Sequence, residues 1–376
     1  MSTAPQPKFK LLYAGKNITN DIAPYLISLT YTDKIEGESD EIDIQLEDSK
    51  LLWQGSWYPT KGDKMELWIG FGNQQVKAGA FEVDEIELSG PPDTVNIRGQ
   101  ATGIKKALRT KRMTAFENVT VKQLADKIAA KNGLSVEGVF GKNAQLVHKR
   151  ISQNRETDLE FLKRVAQGYG IVFSVRSDKM VFTDQQQLEK RAASLSIDKT
   201  DVSRWSLRHK SVKTYAGAQA AWKNPDTDKV VQSVYQPVEG MVPDFLKGSV
   251  NSETFKEYVG DFGNSADVLQ IKDKVENEAQ ADAKAQAALY RANTKEYEGD
   301  ITVYGDPLIC AGNNIDLTGF GRMSGRWSIT ESTHTFTRSG GYSTSATLKR
   351  VQGTSSANQK PKASKVTRYG GTPNSY

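Results

Sequence analysis

Hydrophobic and polar positions alternate one by one in Glu41-Ile42-Asp43-Ile44-Gln45-Leu46-Glu47. Ile42, Ile44 and Leu46 share one face and acids occupy most of the other, which is the two-residue period of a half-buried strand. Lys64–Ile69 and Phe81–Ile86 repeat the pattern between glycines, and Gly90-Pro91-Pro92-Asp93 turns the chain into a further strand at Thr94–Arg98. Short strands at this spacing predict a barrel or sandwich over the first hundred residues. Near residue 110 the period lengthens. Thr120-x-x-Gln123 is a capping box, Val121, Leu124, Ala125, Ile128 and Ala129 fall on one helical face, and Gly133 stands where a helix would stop. Thr157-x-x-Glu160 opens a second helix with Phe161, Leu162, Val165 and Ala166 inward, ending at Gly168 or Gly170. A hairpin of Ile171–Val175 and Met180–Thr183 follows.

From about 200 the pattern is β again, with Val202–Leu207 and Ser211–Trp222 as candidate strands. A polar stretch over 224–264 and an Ala-rich helix over 266–292 follow. Strands resume at 299–304, 314–318, 327–337 and 342–349. Gly62-Asp-Lys-Met-Glu-Leu-Trp-Ile-Gly-Phe-Gly reappears, with one gap, as Gly312-Asn-Asn-Ile-Asp-Leu-Thr-Gly-Phe-Gly. Phe81-Glu-Val-Asp-Glu then matches Trp327-Ser-Ile-Thr-Glu in the same order. A repeat spaced by about 250 residues is far too long for a solenoid and points to a duplicated domain. The expected fold is α+β and mainly β: two related antiparallel β-barrel domains, a small α/β insert domain and a long Ala-rich helix. The boundaries read as 8–108 for the first barrel, 109–195 for the insert, 196–351 for the second barrel, and 352–376 for a flexible basic tail.

Composition sharpens this in three ways. The 376 residues predict more than one domain. The mean hydropathy of −0.56, with no apolar run near ~18 residues, predicts no membrane span. No apolar stretch follows the N-terminus, so Sec export is not expected. Cys310 is the single cysteine and there are 3 histidines, which excludes disulfide frameworks and cysteine-based zinc sites. The net charge of +5 hides a segregation: residues 1–100 carry 9 Lys+Arg against 16 Asp+Glu, and residues 101–150 carry 11 against 3. Such asymmetry marks separate surfaces for separate partners rather than one nucleic-acid-binding face.

The chemistry on offer is sparse. His148, His209 and His334 are scattered, with no metal-binding spacing, and His334 in an alternating strand reads as a hydrogen-bonding residue of a sheet. Cys310 reads as a small buried hydrophobe rather than a nucleophile. The acidic run Glu36-Gly-Glu-Ser-Asp-Glu is polar on all sides, whereas a general acid needs an apolar pocket, so it reads as a solvated turn. The basic run Lys105, Lys106, Arg109, Lys111 and Arg112 lacks interleaved aromatics and reads as a partner-facing patch. No catalytic, cofactor or metal site is expected.

Two further stretches, read with the repeat, resemble a known family. Ile22-Ala-Pro-Tyr-Leu-Ile-Ser-Leu-Thr-Tyr-Thr-Asp with Glu38-Ser-Asp-Glu41-Ile-Asp-Ile is similar to the late-control D proteins of contractile phage tails. Glu156-Thr-Asp-Leu-Glu-Phe-Leu-Lys-Arg-Val-Ala with Tyr169-Gly-Ile is also similar to the N-terminal hub part of VgrG. The Ala-rich helix, Gly305-Asp-Pro-Leu-Ile-Cys-Ala-Gly-Asn-Asn-Ile-Asp-Leu-Thr-Gly-Phe, and His334 ahead of Gly341-Tyr-Ser-Thr complete the resemblance, which runs from about 10 to 350. It implies a non-enzymatic baseplate hub, a homotrimer beneath the tail tube whose duplicated barrels make a pseudo-six-fold ring above a three-fold spike. The implied partners are the tail tube protein, a separate central spike protein, other baseplate proteins and, as a further candidate, the tape measure protein, with DNA in transient passage. The implied setting is the baseplate of a virion or of a phage-tail-like bacteriocin, assembled in the host bacterial cytoplasm. On that expectation Glu41, Asp43, Glu47 and Glu66 line the channel and repel passing DNA, while the basic run or the tail meets acidic baseplate partners. The competing readings are a peptidoglycan-degrading hub enzyme and a cell-wall-binding adaptor.

Overall fold

The alternating segments of the first hundred residues all fold as strands because each has one apolar edge to bury. In the computed structural model, which describes residues 6–35, 39–72, 74–102, 108, 110–176, 179–210, 215, 217–223, 230–235, 268–273, 275–339 and 341–351, they begin with β1 (Pro7–Tyr13), β2 (Lys16–Asn17), the short helix α1 (Thr19–Ile22) and β3 (Leu26–Lys34). β4 (Glu41–Glu47), β5 (Lys64–Phe71), β6 (Gln74–Ser89) and β7 (Thr94–Ala101) complete the set. They hydrogen-bond in the order β3-β4-β7-β6-β5-β1-β2, all antiparallel. Ile42, Ile44 and Leu46 meet Leu11, Leu29, Met65, Leu67 and Phe81 in the first core, as the alternation requires.

Between the barrels lies the α/β insert: β8 (Arg112–Val119), α2 (Val121–Asn132), β9 (Ser135–Val139), β10 (His148–Glu156), α3 (Asp158–Gly168), β11 (Ile171–Arg176), β12 (Lys179–Asp184) and α4 (Gln185–Lys190). Both expected capping boxes are formed. Thr120 accepts from the Gln123 N–H and Thr157 from the Glu160 N–H, with the reciprocal side-chain bonds also present. Gly133 ends α2 at φ +66, a conformation that favours glycine. The apolar faces of α2 and α3 enclose Phe173, Met180 and Phe182 of the three-stranded sheet β11-β12-β9.

The remaining elements are β13 (Ala193–Asp198), β14 (Val202–His209), β15 (Gly217–Lys223), β16 (Val230–Tyr235), β17 (Val268–Ile271), α5 (Glu278–Asn293), β18 (Tyr297–Tyr304), β19 (Asn314–Thr318), β20 (Gly325–Thr337) and β21 (Gly341–Arg350). The Ala-rich helix starts at Glu278, not at 266. Val268-Leu-Gln-Ile is instead a strand paired parallel to β15, and Asn277 caps the helix by accepting from the Gln280 N–H. β-branched residues with a strand edge to join override the adjacent helix pattern. The alanines of α5 serve packing on two sides: Ala283 enters the insert core, while Ala281 and Ala285 meet Ala220 and Ala218 of β15. Among the described residues, no helix is long and apolar enough to cross a membrane. The polar stretch 224–264 and the tail lie largely or wholly outside the described residues.

Candidate assembly interface

The second barrel follows the path β14-β18-β21-β20-β19-β13, the same order as β3-β4-β7-β6-β5-β1. One difference is that β13 pairs parallel to β19, whereas β1 is antiparallel to β5. For the four strands β3, β4, β7 and β6 the correspondence holds residue by residue. The next strand keeps the match where it joins, since Met65 of β5 opposes Phe81 as Ile315 of β19 opposes Trp327. The bulge between Val83 and Glu85 recurs between Ile329 and Glu331. A second bulge, between Leu26 and Ser28, recurs between Val202 and Arg204. The Gly62 N–H donates to the Val83 carbonyl over 2.8 Å, and the Gly312 N–H donates to the Ile329 carbonyl over 2.9 Å. Even an ion pair is repeated, since Lys34 with Glu41 corresponds to Lys210 with Glu298. Bulges re-aim side chains and tolerate little drift, so two shared bulges fix the alignment. Glu41-Ile-Asp-Ile thereby superposes on Glu298-Gly-Asp-Ile, a third shared segment beside the two that recur in the sequence.

The two copies are joined edge to edge. Beyond its bulge, β20 pairs antiparallel with β3, placing Glu331 opposite Lys34, Thr333 opposite Thr32 and Thr335 opposite Thr30. Under this joint Tyr31 stacks on His334 at 5.7 Å, and the His334 Nδ1 lies 2.9 Å from the Tyr342 hydroxyl. The His334 Nε2 is 3.1 Å from the Ile309 carbonyl, so the tautomer that fits carries its proton on Nε2. Burial pushes this histidine down to about 4, leaving it neutral at pH 7. Asp33, also buried, accepts the Ala311 N–H at 2.9 Å and Arg176 of the insert at 3.2 Å. Burial and the adjacent Asp33 raise Asp40 to about 8. Cys310 donates to the Pro307 carbonyl, and burial pushes its thiol up to about 12, far from a thiolate nucleophile.

Eight strands, from β14 through the joint to β6, thus form one sheet with a buried face and a polar face. The centre of the polar face is rich in hydroxyls: Thr30, Thr32, Thr333, Thr335, Ser343 and Ser345. A concavity of about 440 Å³ on it is lined by Arg204, Arg208, Asp300, Thr302, Glu331 and Thr347, among others. Glu41, Asp43 and Glu47 lie on this face, each with a cation: Lys34 at 4.0 Å, Arg98 at 3.0 Å and Arg338 at 2.9 Å. The Arg338 hydrogen bond holds the Glu47 carboxyl below the usual range. Glu66 sits on β5, off this face, beside Lys77. Of the basic run, Lys105, Lys106 and Arg109 lie outside the described residues. Lys111 is exposed, and Arg112 turns inward, 3.7 Å from the buried Asp158 at the start of α3. At one end of the sheet, beyond β4, Leu51, Trp57 and Tyr58 are exposed, and so are Tyr304, the last residue of the equivalent β18, and Leu308 after it.

Comparison with known proteins gives this geometry a context. A family profile described as phage tail baseplate hub (GPD) matches residues 94–340. A probable baseplate hub protein of Escherichia phage 186 is 26% identical over 362 residues, covering 90% of this chain and 92% of that protein. A tail protein of Neisseria meningitidis shares the fold at a TM-score of 0.62 and 13% identity, over 92% of this chain and 96% of its own. The chain of a Francisella PdpA-VgrG complex does so at 0.53 and 10% identity, over 96% of this chain and 60% of its own.

Proposed function

The chain belongs to the phage tail baseplate hub (GPD) family and is a structural protein of the tail baseplate; on that premise we propose that three copies close into a ring that joins a six-fold tail tube to a three-fold spike. The observation that carries this reading is the in-register duplication. Two equivalent four-strand units per chain, joined edge to edge, give a trimer six similar units around one axis. A six-fold neighbour then meets six similar rims while a three-fold neighbour meets three whole chains. The exposed apolar residues at the equivalent ends of β4 and β18 support this, because both copies offer the tube a contact at the same height.

The polar face of the sheet lines the channel. Its acids, Glu41, Asp43 and Glu47, sit beside cations, so the wall acts less by net repulsion than by lacking attraction. Hydroxyls present neither the stacking surface nor the clustered positive charge that holds nucleic acid. Glu66 belongs to the outer wall instead. Lys111, with Lys105, Lys106 and Arg109, contacts an acidic baseplate neighbour. Assembly takes place in the host bacterial cytoplasm, with the tube, spike and other baseplate proteins as partners. The test is native mass together with an electron-microscopy view along the axis. The reading expects a particle of about three times 41.5 kDa, closed into a ring with six-fold pseudo-symmetry. A monomer at every concentration and in the presence of the spike protein would refute it.

A further inference from the structure

The first barrel is hollow at one end. A cavity of about 270 Å³ runs in beside Ile44, Leu46 and Met65, and the exposed residues Trp57, Tyr58 and Asp21 stand at its mouth. Its walls are built without a ligand. Asp48, fully buried, accepts the Trp53 N–H at 3.1 Å and the Gln54 N–H at 3.2 Å, which seats Trp53 against Trp57, edge to face at 5.5 Å. On another wall the Tyr13 hydroxyl donates to Asp63 at 2.6 Å and accepts the Thr60 N–H at 3.0 Å. The second copy closes the same end from within. Its connection 305–313, shorter than 48–63, puts Ile309, 0% exposed, into the cluster of Ile301, Val303 and Ile315, the equivalents of Ile44, Leu46 and Met65. An apolar side chain thus fills in the second copy what the first leaves hollow.

We propose that this cavity is a binding site for an aromatic side chain next to a cation, and that its occupant is Tyr369, with Arg368, of the same chain. The size suits one side chain, being below the ~300–1,000 Å³ of small-molecule sites. The lining suits a ring with a polar tip, since it is aliphatic and aromatic with Ser56 and Asp21 among its few polar groups. Asp21 is the one charged residue of that lining and has no cation paired with it among the described residues, so the mouth favours a positive neighbour.

Residues 352–376, outside the described residues, carry 4 Lys+Arg and no acid, and in Thr367-Arg368-Tyr369-Gly370-Gly371 an aromatic side chain directly follows a cation. Tyr376, the other aromatic of this segment, follows Asn374 and Ser375 instead. The two glycines after Tyr369 let the chain turn back out of a narrow mouth. Reach allows the contact. The Val351 N–H donates to the Arg326 carbonyl of β20, and Thr337, ten residues beyond Trp327, is level with Ser28 and Gln45. That is ~33 Å along the strands and, over three strand spacings from β21 to β4, ~14 Å across. The segment 352–368 spans up to ~56 Å when extended. The contact lies within one chain and does not depend on the ring proposed above.

The experiment uses the full chain with photoreactive p-azidophenylalanine in place of Tyr369, irradiated and mapped by mass spectrometry. Cross-links should fall within 11–22 and 44–65, which supply most of the lining. The same group in place of Tyr376 should give about a tenth of that yield. With the photoreactive group at 369, Asp21→Lys should lower the yield about tenfold, and Asp21→Lys with Arg368→Glu should restore it to within about threefold. Separately, Tyr369→Ala, which leaves every residue of the barrel in place, should speed amide exchange over 50–58 about tenfold. Cross-links outside those segments, equal yield from position 376, cross-links between differently labelled copies, or exchange unchanged by Tyr369→Ala would each overturn the proposal.

Discussion

Replacing Arg176 with Met tests whether the insert is held to the barrels by charge. The two side chains have similar reach, so the change removes the guanidinium while keeping most of the packing. Asp33 would then hold a carboxyl that is 3% exposed with only the Ala311 N–H and the Asp40 side chain for partners, and no cation beside it. Breaking a fully buried pair costs roughly 3–5 kcal/mol. Here the arginine side chain is 41% exposed, so water replaces part of what it supplied, and the expected loss is nearer ~2–3 kcal/mol. That corresponds to a melting transition lowered by about 5–10 °C for a domain of this size. The assay is thermal unfolding of the single variant, of Asp33→Asn, and of the double variant. The double variant should recover more than half of the loss, because an asparagine at position 33 would still accept the Ala311 N–H without burying a charge. A shift under ~1 °C for Arg176→Met, or a double variant no better than the single, would refute the account.

Three more outcomes follow from the same geometry. Asp40, raised to about 8 in the folded chain against an ordinary value of 3.8, binds its proton more tightly when folded. Its contribution to stability is therefore full below about pH 4 and lost as pH rises through about 8, and Asp40→Asn should flatten that slope in denaturation series between about pH 5 and 9. His334 has the opposite sign: its pKa is lowered to about 4, so its contribution is present above about pH 6.5 and lost as pH falls toward 4. The size is about 3 kcal/mol, readable as a proton NMR titration that leaves its ring neutral at about pH 5.5. Thr120→Ala and Thr157→Ala each remove a capping box and should each cost about 1 kcal/mol, with faster amide exchange confined to the first turn of α2 or α3.

The sequence on its own determined what neighbours within a few residues can decide. Caps need only the next turn, so Thr120 with Gln123 and Thr157 with Glu160 were readable. Alternation needs only a buried side, so β4 was placed residue for residue and the duplication emerged from glycines and core positions that recur. The first strand, β1, alternates too weakly in Pro7–Tyr13 to stand out, and it became a strand because β5 offered it an edge. Only the tertiary structure decided which edges meet. Nothing in Thr30 says that it lies opposite Thr335, about three hundred residues away, since a backbone edge pairs through groups that nearly every residue carries. The same holds for the start of α5, where Val268–Ile271 found a partner strand, and for Arg176, whose anion belongs to another unit of the fold. Local chemistry wrote the elements and their repetition; long-range pairing chose the joint between the two copies.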